Sequence, residues 1–109
     1  MLPPLIVTRE LEYLDDALVE AEEAARWYAQ RSPTAAAGFA FELEAAAQAI
    51  TETANTWPAY DHGTRRFLLR RYPYSLIYRV EPTRLVIVAV AHAHRRPGYW
   101  KQRLAAHRK

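Results

Sequence analysis

From residue 14 to residue 54 the apolar positions recur every three or four residues. From Phe67 to Ala91 they alternate with polar residues or run together. The first rhythm predicts helices and the second predicts strands. Leu14, Leu18, Ala21, Ala25 and Tyr28 place one stripe on a helix from about Asp15 to Arg31. Asp15 and Asp16 at its start and Arg31 at its end suit the helix dipole. Trp27-Tyr28 is expected to close the core beneath the turn that follows. Ser32-Pro33 stops this helix and starts another, because serine caps and proline is accepted in the first turn. The second helix is expected from about Pro33 to Asn55, with Phe39, Leu43, Ala46, Ala47, Ile50 and Ala54 as its stripe. So short a linker predicts an antiparallel hairpin. The alanines at 35–37 and 45–47 favour helix and close packing; a protein–protein contact is their alternative use.

Leu5-Ile6-Val7-Thr8, after Pro3-Pro4, reads as a first strand at a sheet edge. Asp61-His62-Gly63 is turn chemistry. A second strand is expected over about Thr64 to Tyr72, with Phe67 and Leu69 on one face and Arg66, Leu68 and Arg70 on the other. Arg66 and Arg70 should therefore project together. Tyr74 to Val80 gives a third strand. Leu85 to Ala91 (LVIVAVA) gives a fourth, buried on both faces and so central in the sheet. Residues 98–108 read as a short helix or ordered tail. The fold class that follows is α+β: an N-terminal strand, an antiparallel two-helix hairpin on a mainly antiparallel sheet, and a short C-terminal helix or tail.

Length and charge sharpen this picture. At 109 residues the chain is expected to be one domain, residues 1–109. It has no cysteine, which removes disulfides and thiolate metal sites. No signal peptide or membrane-spanning run is evident, so the cytoplasm is the expected compartment. The net charge of +3 conceals a division. Residues 1–55 hold three arginines against ten carboxylates, a net of −7; residues 56–109 hold twelve Lys or Arg against Asp61 and Glu81, a net of +10. The basic half interleaves its charge with Tyr and Trp, which suits an acidic or phosphate-bearing partner.

Candidate chemistry is confined to that half. His92 and His94 stand two apart, but zinc wants three or four protein ligands and only His62 and His107 remain, so no metal site is expected. Three glycines cannot supply a nucleotide-binding fingerprint, and no cofactor is expected. His92, Arg95, Arg96 and Tyr99 suit RNA cleavage, which needs a base, a cation for the phosphorane and an acid. The same residues suit a phosphate or acidic-peptide site without chemistry. Arg66, Arg70, Arg95, Arg96, Tyr99 and Trp100 form the candidate binding surface; Tyr99 and Trp100 serve equally well to pack the tail on the sheet.

The segments Tyr72-Pro73-Tyr74-Ser75-Leu76-Ile77-Tyr78 and His92 through Arg95-Arg96-Pro97-Gly98-Tyr99-Trp100, in a strand–helix–helix–three-strand order, resemble the RelE/ParE superfamily of type II toxin–antitoxin toxins. The resemblance covers roughly Leu5 to Leu104. It implies a cognate antitoxin that lays a helix and an extended segment over the toxin, in a hetero-oligomer. It also implies one of two activities: inhibition of DNA gyrase, as in ParE-like members, or cleavage of messenger RNA on the ribosome, as in RelE-like members. Against the ribonuclease pattern Arg66 falls on one basic position and Tyr99 on the C-terminal tyrosine, with Arg95 or Arg96 near the arginine. Leu68 and Ser75 occupy two further positions that are basic in the ribonucleases. That departure favours the ParE-like activity, without catalytic residues of its own; if the chain is a ribonuclease, Arg66, His92, Arg95, Arg96 and Tyr99 carry the reaction. A stand-alone RNA-binding domain is the third reading.

Overall fold

The computed structural model describes residues 9–107, so the expected strand at Leu5–Thr8 lies outside the described residues. The elements are β1 (Glu10–Tyr13), α1 (Asp15–Ala29), α2 (Pro33–Glu52), β2 (Ala59–Tyr60), β3 (Thr64–Leu68), β4 (Tyr74–Val80), β5 (Arg84–His92) and α3 (Lys101–His107). The sheet order is β1-β5-β4-β3-β2. β1 runs parallel to β5 and the other pairs are antiparallel. This is the expected α+β architecture, with β4 and β5 inside the sheet.

Ser32 caps α2 as its sequence predicts: its Oγ accepts the Ala35 N–H at 3.2 Å, with Pro33 in the first turn. The α2 stripe also stands, since Phe39, Ala46, Ala47 and Ile50 are buried. The α1 stripe stands at Ala21, with Leu14, Ala25 and Tyr28 packed against the core, but its centre is alanine rather than Leu18. Ala17, Ala21 and Ala24 face the core while Leu18 is 46% exposed. Alanines let the helix sit close to the sheet, and that proximity outweighs the larger apolar side chain of leucine. The Trp27-Tyr28 pair divides. Tyr28 packs against Phe39, Tyr72 and Tyr74, whereas Trp27 is half exposed.

β3 ends at Leu68 rather than Tyr72, because α2 captures the following turn. Glu42 Oε1 accepts the backbone N–H groups of Arg70 and Arg71 at 2.9 and 3.2 Å. Tyr72 then reaches back to donate to the Ala35 carbonyl at 2.8 Å. It crosses so close to Gly38 that a Cβ there would strike its hydroxyl. Arg70 thus lies in a turn, and its expected alignment with Arg66 fails.

The apolar run of β5 is buried on both faces, as its sequence predicts. Leu85, Ile87 and Val90 join the core under the helices; Val86, Val88 and Ala89 join a second cluster on the opposite face. A bulge makes this phase change. Ile77 pairs with Ala89 and Tyr78 with Ile87, so Val88 is an extra residue on β5. The second cluster is closed by the tail: Trp100 is 1% exposed, with Tyr99 and Leu104 packed beside it. The tail therefore covers the face opposite the helical hairpin.

Candidate functional site

Arg66 pairs with Ile77 and Leu68 with Ser75, which brings Arg66, Leu68 and Ser75 to the tail face of the sheet. β5 ends at His92, and a turn returns the chain over that face. Gly98 has φ +77 there, a conformation that side chains disfavour, and it lies against the His62 ring. A pocket of about 130 Å³ results, with Ser75 and Ala91 as small residues in its wall and Arg66, Arg95 and Arg96 among its lining. Two of these guanidinium groups stack on aromatic rings. Arg66 Cζ stands 4.4 Å over the Tyr60 ring and Arg95 Cζ 3.8 Å over the Tyr99 ring. Among the described residues none of these three arginines forms an ion pair. A concave site with several unpaired cations favours an anion.

Of the expected site residues, Arg66, His92, Arg95, Arg96, Tyr99 and Trp100 all line this pocket. Arg70 does not. Trp100 contributes from beneath: its burial fixes the tail and leaves little surface for a partner. His92 lies between the rings of Tyr74 and His94, at 5.0 and 5.1 Å, and its Nδ1 accepts the His94 N–H at 3.0 Å. The two histidines do meet, but through a turn. Among the described residues no group of three or more histidines and carboxylates is placed to hold a metal.

Tyr99 is turned towards α1. Its hydroxyl donates to Glu20 Oε2 at 2.6 Å, and Arg103 grips the same carboxylate through Nη1 and Nη2, each at 2.9 Å. Burial, and then the bond to Glu20 and its charge, hold the Tyr99 phenol above its usual 10. The phenol therefore stays protonated, with its proton engaged by Glu20. Glu20 and Arg103 also finish the sheet. β1 pairs with β5 only along Arg84–Ile87. Beyond it, Glu20 Oε1 accepts the Val90 N–H and Arg103 Nη1 donates to the Val88 carbonyl, both at 3.0 Å. Two side chains thus do what a neighbouring strand would do.

Sequence reasoning missed Glu20, Arg103, Tyr60 and His62. The signal for Glu20 was present: it stands three after Ala17 and four before Ala24, at the margin of the alanine stripe.

A second cleft, of about 420 Å³, opens between α1 and the far end of β5. Ala24, Trp27 and Tyr28 form one wall, and Tyr74, Val90 and His92 belong to the other. Glu23 and Arg95 also border it. His92, Arg95 and Tyr99 line both cavities, so the two share a wall.

A helical hairpin on one face of a mixed sheet, with a basic, tail-covered pocket on the other, is the architecture of a type II toxin of the RelE/ParE class. Residues 11–97 match the family of the ParE toxin of type II toxin–antitoxin system, parDE, and the chain belongs to that family. Its structure resembles the chromosomal ParDE toxin–antitoxin system from P. aeruginosa, with a TM-score of 0.71 at 18% identity over 82% of this chain and 100% of the other. At that identity the likeness speaks for the fold alone. No curated protein matches the sequence.

Proposed function

We propose that this toxin arrests growth by binding DNA gyrase, without chemistry of its own, and that a cognate antitoxin neutralises it by covering the same basic face. That target places it in the cytoplasm, as one domain in a hetero-oligomer with its antitoxin. The observation that carries the reading is the Leu68–Ser75 pair beside Arg66. Two positions that are basic in the ribonucleases hold a leucine and a serine. A preorganised donor is worth about 3–4 kcal/mol of transition-state stabilisation, so the loss of two cations costs several kcal/mol. The Tyr99 hydroxyl, bonded to Glu20, adds support: it is ill disposed to protonate a leaving group.

A second reading, a ribosome-dependent messenger RNA endonuclease, draws on one observation: Arg66, His92, Arg95 and Arg96 gather around a single pocket. Pulse labelling of DNA and protein synthesis, minutes after induction of the toxin alone, separates the two. DNA synthesis is expected to fall first. Tyr99→Phe is expected to leave the arrest intact, while Arg95→Glu abolishes it. Protein synthesis that stops first, with cut messages and a Tyr99→Phe variant reduced by orders of magnitude, would establish the endonuclease instead.

A further inference from the structure

The three turns at one end of the molecule carry cations and no acid. They are the link between α1 and α2, the link between β3 and β4, and the turn that follows β5. Segments 30–41, 69–74 and 93–99 hold Arg31, Arg70, Arg71, Arg95 and Arg96 and no carboxylate. Tyr72 joins these turns. Its ring packs on Tyr28 at 5.0 Å, and its hydroxyl donates to the Ala35 carbonyl at 2.8 Å. The adjoining Pro73 carbonyl accepts the Ala93 N–H at 2.8 Å. Within the β3–β4 link Leu69 is buried and donates its N–H to the Tyr74 carbonyl at 3.0 Å, and Glu42 holds the next two N–H groups. The backbone beneath Arg70 and Arg71 is thus pinned while both side chains stand in solvent. Arg31, also exposed, stacks on the Trp27 ring at 3.6 Å. Among the described residues Arg31, Arg70 and Arg71 form no ion pair, and none of them borders the basic pocket or the α1–β5 cleft.

We infer that this end of the toxin is a second site, separate from the pocket, which grips the phosphate backbone of duplex DNA through Arg31, Arg70 and Arg71. Three exposed turns without a hollow of their own give a peptide anchor no seat. A single strand needs open aromatic faces for its bases. Here Tyr28 and Tyr72 pack on each other, and the Arg31 guanidinium stands over Trp27. What remains is arginine on a fixed mount, which suits phosphates whose spacing a duplex sets in advance. A pinned backbone also loses little freedom on binding. Such contacts position the protein on the duplex and read no sequence. The choice of DNA over RNA rests on the gyrase reading, because that target works on duplex DNA; the cationic end itself does not depend on it.

Fluorescence anisotropy of a labelled twenty-base-pair DNA duplex with the purified full chain tests it. Three phosphate contacts give a log–log salt slope of about −2.7, so affinity should fall about fortyfold between roughly 50 and 200 mM salt. Arg70→Ala/Arg71→Ala keeps the backbone N–H groups that Glu42 holds, and a melting curve checks its fold. This variant should bind at least about tenfold more weakly at low salt, with a slope of about −0.9. Arg31→Ala should flatten the parent slope by about 0.9. Arg66→Ala, which removes a cation from the pocket, should change neither affinity nor slope. No binding at low salt, a parent slope retained by the double variant, or a loss confined to Arg66→Ala overturns the inference. So does tighter binding of the matching single strand, and duplex RNA bound as tightly overturns the assignment to DNA. Pulse labelling is read separately. A fall in DNA synthesis without duplex binding removes this site and leaves the gyrase reading standing; duplex binding with protein synthesis stopping first does the reverse.

Discussion

Tyr78 illustrates how much one side chain decides. It is wholly buried, and its hydroxyl donates to the Ala54 carbonyl just past α2, at 2.6 Å. Burial pushes the phenol up to about 12. Tyr78→Phe leaves the ring in place and the carbonyl without its donor. A buried acceptor so deprived costs about 1–3 kcal/mol. Urea unfolding should show the midpoint falling with an unchanged slope. At the same scale Arg66 was legible from its alternation with Phe67, because a strand's period of two admits no third direction. The role of Tyr99 was not. Its sequence position suits a reacting phenol, and only a carboxylate 79 positions away turns it into an anchor.

Among elements, the join of α1, β5 and the tail is the decisive one. Glu20 receives Tyr99, Arg103 and the Val90 N–H, and the Glu20 and Arg103 side chains are only 14% and 17% exposed. Removing one member of a buried pair costs about 3–5 kcal/mol. The partial exposure here lowers the expectation for Glu20→Ala to about 2–3 kcal/mol. Hydrogen exchange should report the site directly, with the Val90 amide exposed sooner in the variant than in the parent chain. Spectrophotometric titration should also find the Tyr99 phenol lowered towards its usual value, since the Glu20 charge is gone. If Val90 exchange is unchanged, the carboxylate is not what closes the β5 edge. Strands β4 and β5 and the cap of α2 were readable locally, since each is written in consecutive residues. The end of β3 was not, because Glu42 on α2 takes the backbone of Arg70 and Arg71 out of the ladder.

In the molecule as a whole the opposite charges of the two halves are only partly joined. Arg84 meets Glu12, and Arg103 meets Asp16 and Glu20, across the division. Within the basic half, Glu81 accepts from Arg84 Nε at 2.6 Å and from Arg79 Nε at 2.9 Å. The bond from Arg84, with that from Arg79, holds its carboxyl below the ordinary carboxylate value against the opposing effect of burial. A carboxylate whose folded pKa is depressed adds stability in full above its unfolded value, and loses it as pH falls through the folded one. The melting temperature should therefore hold between pH 5 and 7, within this contribution, and decline below about pH 4.3, the usual value for glutamate. Glu81→Gln should lower the neutral plateau and reduce the acid decline, as calorimetry across pH would record. Elsewhere the charges stay apart. Arg66, Arg95 and Arg96 meet no acid of their own chain among the described residues, and that leaves the basic face available to another.

The sequence by itself determined the helical hairpin, the strands β4 and β5, the α+β class and the location of the positive charge. Each of these depends on periodicity or on residues close along the chain. Tertiary structure alone decided which sheet face the tail covers, that Arg70 leaves the basic cluster, and that Glu20 holds Tyr99 and Arg103. It also decided that an aromatic cleft and a cationic pocket share one wall. These depend on contacts between residues tens of positions apart, whose geometry is set by the packing of α1 and the tail on opposite faces of one strand. No local pattern of hydrophobic and polar positions encodes that arrangement.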